Sequence, residues 1–223
     1  MNYGVVIAAG KRSGFGSVDR AFLSLGPKPI LAYSLLAFEA CEDIDGVVLV
    51  VRKERVESTR GLIQIFGCSK VIKVVAGGTL RQASVQNALD AIPSDARIVT
   101  VHEASRPGVT PELISATITA AKRNGSAAIG TKITDPVVSS ERGTMVTDSV
   151  DATKLWTLQS PQSFKIDILK QAIAKVPAGK SITSEAAAVE LLGEKVRMVP
   201  GTPFNIKITA PDDVPLAATL LKL

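Results

Sequence analysis

Two kinds of stretch alternate along this chain. Short continuous apolar runs give way to longer segments in which apolar residues recur every three or four positions. Val5 to Ala9 and Gly46 to Val51 are of the first kind and predict strands buried on both faces, because neither has a polar side to show to water. Pro29 to Cys41 is of the second kind. Ile30, Leu31, Leu35, Leu36 and Phe38 cover one broad face, and proline suits a first helical turn. The rhythm continues with a helix from Arg55 to Phe66, a strand from Val71 to Val75, a break at Gly77-Gly78, a helix from Leu80 to Ile92 and a strand from Arg97 to His102. Thr110 then caps a helix with Pro111 at its first position and Glu112 in its first turn, and Asn124-Gly125 ends it before a strand from Ser126 to Ile133. Alternation with short connections predicts an α/β, Rossmann-like fold: a mostly parallel, doubly wound sheet with helices on both faces.

Residues 134 to 156 depart from this pattern. Val137-Val138 and Thr144 to Val146 flank a polar bend with glycine at position 143, which predicts a β-hairpin with too little apolar surface to bury itself. It is either an exposed excursion or an arm that packs on a second subunit. Beyond it, Lys165 to Lys175 and Ser184 to Leu192 predict helices, Val196 to Val199 and Ile206 to Thr209 short strands. Pro211, with Asp212 and Asp213 behind it, opens a last helix.

Composition narrows the partners. The 223 residues suit one domain spanning 1–223, with 46% hydrophobic and 21% charged residues as in ordinary globular proteins. A net charge of +5 suits an anionic ligand, yet the basic residues are scattered and aromatics make up only 4%, which argues against nucleic acid. No apolar run reaches the roughly 20 residues that cross a bilayer. Cys41 and Cys68 form no disulfide framework, and the N-terminus runs straight into a strand without a leader, so the expected compartment is the cytoplasm. The segment after the first strand adds chemistry. Gly10, Gly14 and Gly16 bracket Lys11 and Arg12, with Arg20 shortly after. Glycines let backbone N–H groups approach an oxyanion that the cations neutralise, although an ordinary glycine turn has the same composition. The spacing fits neither the P-loop nor the dinucleotide fingerprint.

Five segments occur in a fixed order: Ala8-Ala-Gly10, Gly77-Gly-Thr-Leu-Arg-Gln-Ala-Ser84, His102-Glu-Ala-Ser-Arg-Pro107, Leu158-Gln-Ser-Pro-Gln162 and Asn205-Ile-Lys-Ile-Thr209. Together with Thr183-Ser-Glu-Ala186 they resemble the 2-C-methyl-D-erythritol 4-phosphate cytidylyltransferase family over nearly the whole chain. The resemblance implies a fold of nucleotidyltransferase type with a protruding β-arm at 134–156, a homodimer, a Mg²⁺ ion, and attack of a sugar or polyol phosphate on the α-phosphorus of CTP with release of pyrophosphate. It implies that Ala8, Ala9, Gly10, Lys11, Gly78, Arg81 and Ser84 bind the nucleotide. Arg12, Arg20 and Lys207 would be catalytic, Glu103 and Arg106 would face the acceptor, and Glu103 would support the metal. Positioning and charge neutralisation carry such a reaction, which needs no strong base. On the residues alone, His102 reads as a packing residue, Arg81 could be a solvated helix residue, and Glu103–Arg106 a local ion pair. Lys207 between Ile206 and Ile208 calls for an anion.

The departures from the family pattern are also specific. Arg20 stands where the family has a lysine, Glu103 where it usually has aspartate, Pro136 where it has threonine and Ala152 where it has arginine. The last two fall on the acceptor side. They leave open a pentitol phosphate as acceptor, or a divergent CTP-binding homologue with little or no turnover, and they predict weak or absent activity on methylerythritol phosphate with cytidine-nucleotide binding retained.

Overall fold

The computed structural model describes residues 1–10, 15–16 and 18–223. Its elements are β1 (Asn2–Ile7), β2 (Ser24–Leu25), β3 (Lys28–Pro29), α1 (Ile30–Ala40), β4 (Gly46–Val51), α2 (Val56–Ile65), β5 (Val71–Ala76), α3 (Arg81–Leu89), β6 (Ile98–Glu103), α4 (Pro111–Asn124) and β7 (Ser126–Lys132). There follow β8 (Val137–Glu141), β9 (Met145–Val150), β10 (Trp156–Lys165), α5 (Ile166–Lys175), α6 (Glu185–Glu190), β11 (Arg197–Pro200) and α7 (Asp213–Leu220). The main sheet runs β11-β7-β10-β6-β1-β4-β5, with every neighbour pair parallel except those made by β10.

The strands split their side chains between two cores. Val6, Val47, Leu49 and Val51 face one side, with Leu31, Leu35 and Phe38 of α1 and Ile114 and Ile118 of α4. Val5, Val48, Val50, Val99 and Val101 face the other, with Val85 and Leu89 of α3, Leu169 and Ile173 of α5 and Val189 of α6. This is why Gly46 to Val51 is apolar throughout: all six residues are buried. A third, small cluster of Leu25, Ile30, Ile208 and Ala217 attaches α7 beside the β2–β3 hairpin.

Two expectations need correction. No strand was expected at 156–165, yet β10 lies between β6 and β7, antiparallel to both. Its polar residues hid it, and they are buried because they are partnered. Ser163 Oγ lies 2.8 Å from Thr100 Oγ1, and Gln162 Oε1 accepts from Ala186 N at 3.0 Å. Ile206 to Thr209, by contrast, forms no strand ladder. Asp213 Oδ2 accepts from Thr209 N at 2.6 Å and Ala210 N at 2.8 Å, and Ile208 N donates to Ser105 O at 2.8 Å. The segment is pinned as an irregular extended piece.

The hairpin expected at 134–156 forms as β8 and β9, apart from the main sheet, with Arg142 and Gly143 at positive φ in its bend. Val138, Met145 and Val146 are exposed along it.

Candidate active site

The order of strands locates the site. The chain moves from β1 out to β4 and β5 and then returns to β6 on the other side of β1. A crevice opens at such a reversal, beyond the C-terminal ends of the strands. Ala8, Ala9 and Gly10 follow β1, and Glu103 ends β6 directly across from Ile7. Ala8 N donates to Val50 O at 2.7 Å and Ala104 N to Ile7 O at 3.0 Å, so both strand exits are held by backbone bonds.

Two cavities meet in this crevice. Ala8, Gly10, Arg20 and Ser105 line one, Arg106, Gln159, Ser184 and Lys207 the other, and Arg81 with Glu103 lines both. On the glycine side Ala9 lies so close to Gly77 that a Cβ there would run into the Ala9 methyl. Gly78 N donates to Ser84 Oγ at 3.0 Å, which ties the glycine pair to the start of α3. Arg20 sits on a short 3-10 turn capped by Asp19. Burial lowers the pKa of its guanidinium, against the pull of Glu103 and Asp19. Lys11 and Arg12 lie outside the described residues.

The shared wall is a charged cluster. Glu103 Oε1 accepts from Arg81 Nη1 and from Lys207 Nζ, each at 2.8 Å, and Arg106 Nε stands 3.5 Å from Glu103 Oε2. Arg81 sends Nε and Nη2 to the two oxygens of Glu185, both at 2.8 Å. Three cations thus face two carboxylates, one positive charge in excess (3 − 2 = 1). Burial opposes the charge on Glu103, but Arg81, then Lys207 and Arg106, outweigh it and hold the carboxyl down at about 2. Burial likewise opposes the Arg81 cation, and Glu185 and then Glu103 overcome it and raise its pKa. Arg106, paired with Glu103, goes the other way: burial lowers it against the pull of that carboxylate. Arg106 Nη1 donates to Asn205 O at 2.9 Å, while its buried Nε has no hydrogen-bond partner among the described residues.

The structure therefore brings Arg81, Glu103, Arg106 and Lys207 together, with Arg20 across the first cavity. Arg81 is no solvated helix residue. Lys207 does not sit in a strand; Ile208 is buried in the third cluster, Asp213 holds the next two amides, and Lys207 is left to reach Glu103. As a metal ligand Glu103 fits poorly, since both its oxygens face cations, and no group of three His, Cys, Asp or Glu among the described residues could hold an ion.

The family model described as IspD, 2-C-methyl-D-erythritol 4-phosphate cytidylyltransferase, matches residues 3–223. The chain belongs to the 2-C-methyl-D-erythritol 4-phosphate cytidylyltransferase family. The enzyme of that name from Acidobacterium capsulatum is 36% identical over 208 residues, covering 91% of this chain and 87% of its own length. The one from Caldanaerobacter subterraneus subsp. tengcongensis is 34% identical over 221 residues, covering 98% and 97%. Among solved structures, the cytidylyltransferase from Thermus thermophilus superposes with a TM-score of 0.80 at 29% identity, covering 98% of both chains. The sheet with its separate β8–β9 hairpin is accordingly the nucleotidyltransferase fold of this family.

Within this cytidylyltransferase, two residues at the site carried no readable role in the sequence. Glu185 opens α6 and looks like a first-turn acid that favours the helix dipole, yet its exposure is 0%. Arg52 Nη2 donates to Gly10 O at 3.3 Å and its Nε lies 3.7 Å from Asp19 Oδ2, so one side chain spans both ends of the glycine loop. Glu185 falls in the Thr183-Ser-Glu-Ala186 segment of the resemblance without a role attached to it, and nothing in the local pattern marks Arg52. No helix among the described residues is long and apolar enough to cross a membrane.

His102 is a packing residue, as its place at a strand end suggested. It is fully buried, with Nδ1 3.1 Å from Ser160 Oγ and Nε2 3.2 Å from Arg106 O. Burial, then Arg106, pushes its pKa from 6.5 down to about 3. The unfolded chain therefore takes up this proton first as pH falls. Stability from His102 is intact above its ordinary pKa and is lost toward the folded value, by up to about 1.4 kcal/mol per pH unit. We expect the melting temperature to drop between about pH 7 and pH 5, and to drop less in His102→Gln. Calorimetric scans with equal slopes for both proteins would contradict this assignment.

Proposed function

We propose that this protein transfers CMP from CTP to 2-C-methyl-D-erythritol 4-phosphate, a step of isoprenoid-precursor synthesis by the non-mevalonate route. An acceptor phosphate oxygen attacks the α-phosphorus, the new P–O bond forms, and the bond to the β-phosphate breaks to release pyrophosphate. The observation that carries this reading is the pair of cavities that share a wall of Arg81 and Glu103, one beside Gly10 and Arg20 and one beside Arg106 and Lys207. Ala8, Ala9, Gly10, Gly78 and Ser84 would hold the cytidine, and Lys11, Arg12 and Arg20 the triphosphate. Lys207 would bridge the reacting phosphates, and Arg106, which lines the second cavity, would receive the acceptor phosphate. Preorganised cations act where charge develops, at no cost in reorganisation.

Mg²⁺ would enter on the CTP phosphates rather than through a protein cage, in keeping with its preference for phosphates and one or two carboxylates. The chain would work as one nucleotidyltransferase domain, 1–223, and pair into a homodimer through the 134–156 arm, whose Val138, Met145 and Val146 lack cover. The nucleotide substrate, with Cys41 and Cys68 both free and buried, supports a cytoplasmic place. Neither nucleic acid nor membrane enters the reading.

Pyrophosphate release tests the assignment. We expect turnover with CTP and methylerythritol phosphate, much slower turnover with ATP or GTP, and a loss of at least ~10²-fold in kcat for Lys207→Ala. Equal rates with all three nucleotides, or a Lys207→Ala enzyme at full speed, would contradict it.

The arm supports a qualification on rate. Exposed Pro136 and half-buried Ala152 offer no hydroxyl or guanidinium to an acceptor. A charge-assisted hydrogen bond is worth ~1.5–3 kcal/mol, so Pro136→Thr with Ala152→Arg should raise kcat/KM for methylerythritol phosphate by ~10- to 10²-fold. An unchanged value would mean that other residues already hold that phosphate, and preference for a pentitol phosphate in the same assay would move the acceptor assignment.

A further inference from the structure

Glu185 has no part in the reading above, on which the present inference rests. It is the first residue of α6, with 0% exposure, and Ser184 Oγ caps that helix by accepting from Ala187 N at 3.1 Å. The next amide, Ala186 N, is held by Gln162 Oε1 at 3.0 Å, so the carboxylate is carried on backbone fixed at two points. A charge buried to this degree persists only with a matched partner. The partner is the planar fork of Arg81, which delivers Nε and Nη2 to the two oxygens at 2.8 Å. Arg81 keeps only Nη1 for Glu103, and it shares Glu103 Oε1 with the Lys207 ammonium.

The division of donors matters because the alternative is better for Arg81 and worse for Lys207. A guanidinium prefers two parallel bonds to one carboxylate over a single bond to one oxygen. Without Glu185, the carboxylate that pairs with Arg81 among the described residues is Glu103, 2.8 Å from Nη1 already. Glu103 Oε1 already takes Arg81 Nη1 and Lys207 Nζ, and Oε2 already faces Arg106, so a second Arg81 donor would crowd the carboxylate and weaken its hold on Lys207. We infer that Glu185 is a positioning residue. By occupying the Arg81 fork it keeps Glu103 open to Lys207, and so fixes the ammonium that faces the reacting phosphates. A merely structural Glu185–Arg81 pair would affect folding and leave the Lys207 environment alone.

Two readouts on the full-length protein separate these roles. The first is the rate at which an N-hydroxysuccinimide ester acylates Lys207, followed by peptide mass mapping against exposed Lys73. It needs no turnover, so it stands even if the proposed reaction fails. We expect Lys207 labelling to rise in Glu185→Gln and to return to the wild-type rate in the double variant Arg81→Met/Glu185→Met, where no fork competes for Glu103. The second is steady-state kinetics, in which Glu185→Gln should lose about 10- to 10²-fold in kcat with little change in KM for CTP. Unchanged labelling in a folded Glu185→Gln protein overturns the inference. So does labelling that stays high in the double variant, which would signal general loosening. Should Glu185→Gln not fold, ¹⁵N spectra of wild-type arginine side chains decide. The Arg81 Nε and Nη protons must give separate, slowly exchanging signals that survive CTP addition, and their collapse on CTP binding contradicts the assignment.

Discussion

The Glu103 carboxylate is the constraint on which the site depends. It ends β6 at the point where the sheet reverses direction, mostly out of water, and it is tolerated there only because Arg81, Lys207 and Arg106 surround it. A buried charge that loses its partner is strongly destabilising, so Arg81, Glu103 and Glu185 hold one another in place as well as holding the chain. Three separate pieces of backbone meet at this carboxylate, α3 through Arg81, the loop after β6 through Arg106 and the segment before α7 through Lys207, and α6 joins them through Glu185 behind Arg81. Lys207 and Arg106 remain cations at the edge of a cavity, as a polyanionic reaction requires.

The rest of the fold works to deliver those pieces. Buried strands such as β4 and β6 fix the height at which the loops leave the sheet, because the register of β1 with β6 sets Ile7 opposite Glu103. The partnered polar residues of β10 serve the same end. Ser160 Oγ accepts from Glu103 N at 3.0 Å, and Gln159 Oε1 accepts from Asn205 Nδ2 at 3.0 Å, while Asn205 O receives Arg106. The strand that looks least like a strand is the one that braces the charged cluster from below. Gly108 completes the brace: a Cβ there would run into the Phe204 carbonyl, so only glycine lets the 204–209 segment lie against the loop after β6.

How much of this was legible follows from where the signal lies. Gly46 to Val51 was readable because burial on both faces leaves an unbroken apolar run. Thr110, Pro111 and Gly125 marked α4 because caps depend on local chemistry. β10 was not readable, since Gln159, Ser160, Gln162 and Ser163 are buried by virtue of partners on β6, α4, α6 and the segment at 205, which no local pattern shows. Ile206 to Thr209 misled for the opposite reason: it has strand composition, but Asp213 takes the amides a ladder would need. Among the site residues, Arg81, Glu103, Arg106 and Lys207 came from motifs in a fixed order. Glu185 and Arg52 act on residues far away along the chain, Arg81 and Gly10, and that separation hides such pairs from any local pattern.

The role of Glu103 separates two accounts of the site. As the anchor of Arg81, Lys207 and Arg106, it should be needed for their placement and indifferent to the metal; as a metal ligand, it should set the affinity for the ion. Turnover of Glu103→Gln, measured by pyrophosphate release across a Mg²⁺ titration, distinguishes them. An anchor predicts a kcat lowered at every Mg²⁺ concentration, with half-saturation close to that of the wild type. A half-saturation shifted about tenfold or more upward, with kcat recovered at high Mg²⁺, would contradict it and return Glu103 to the metal.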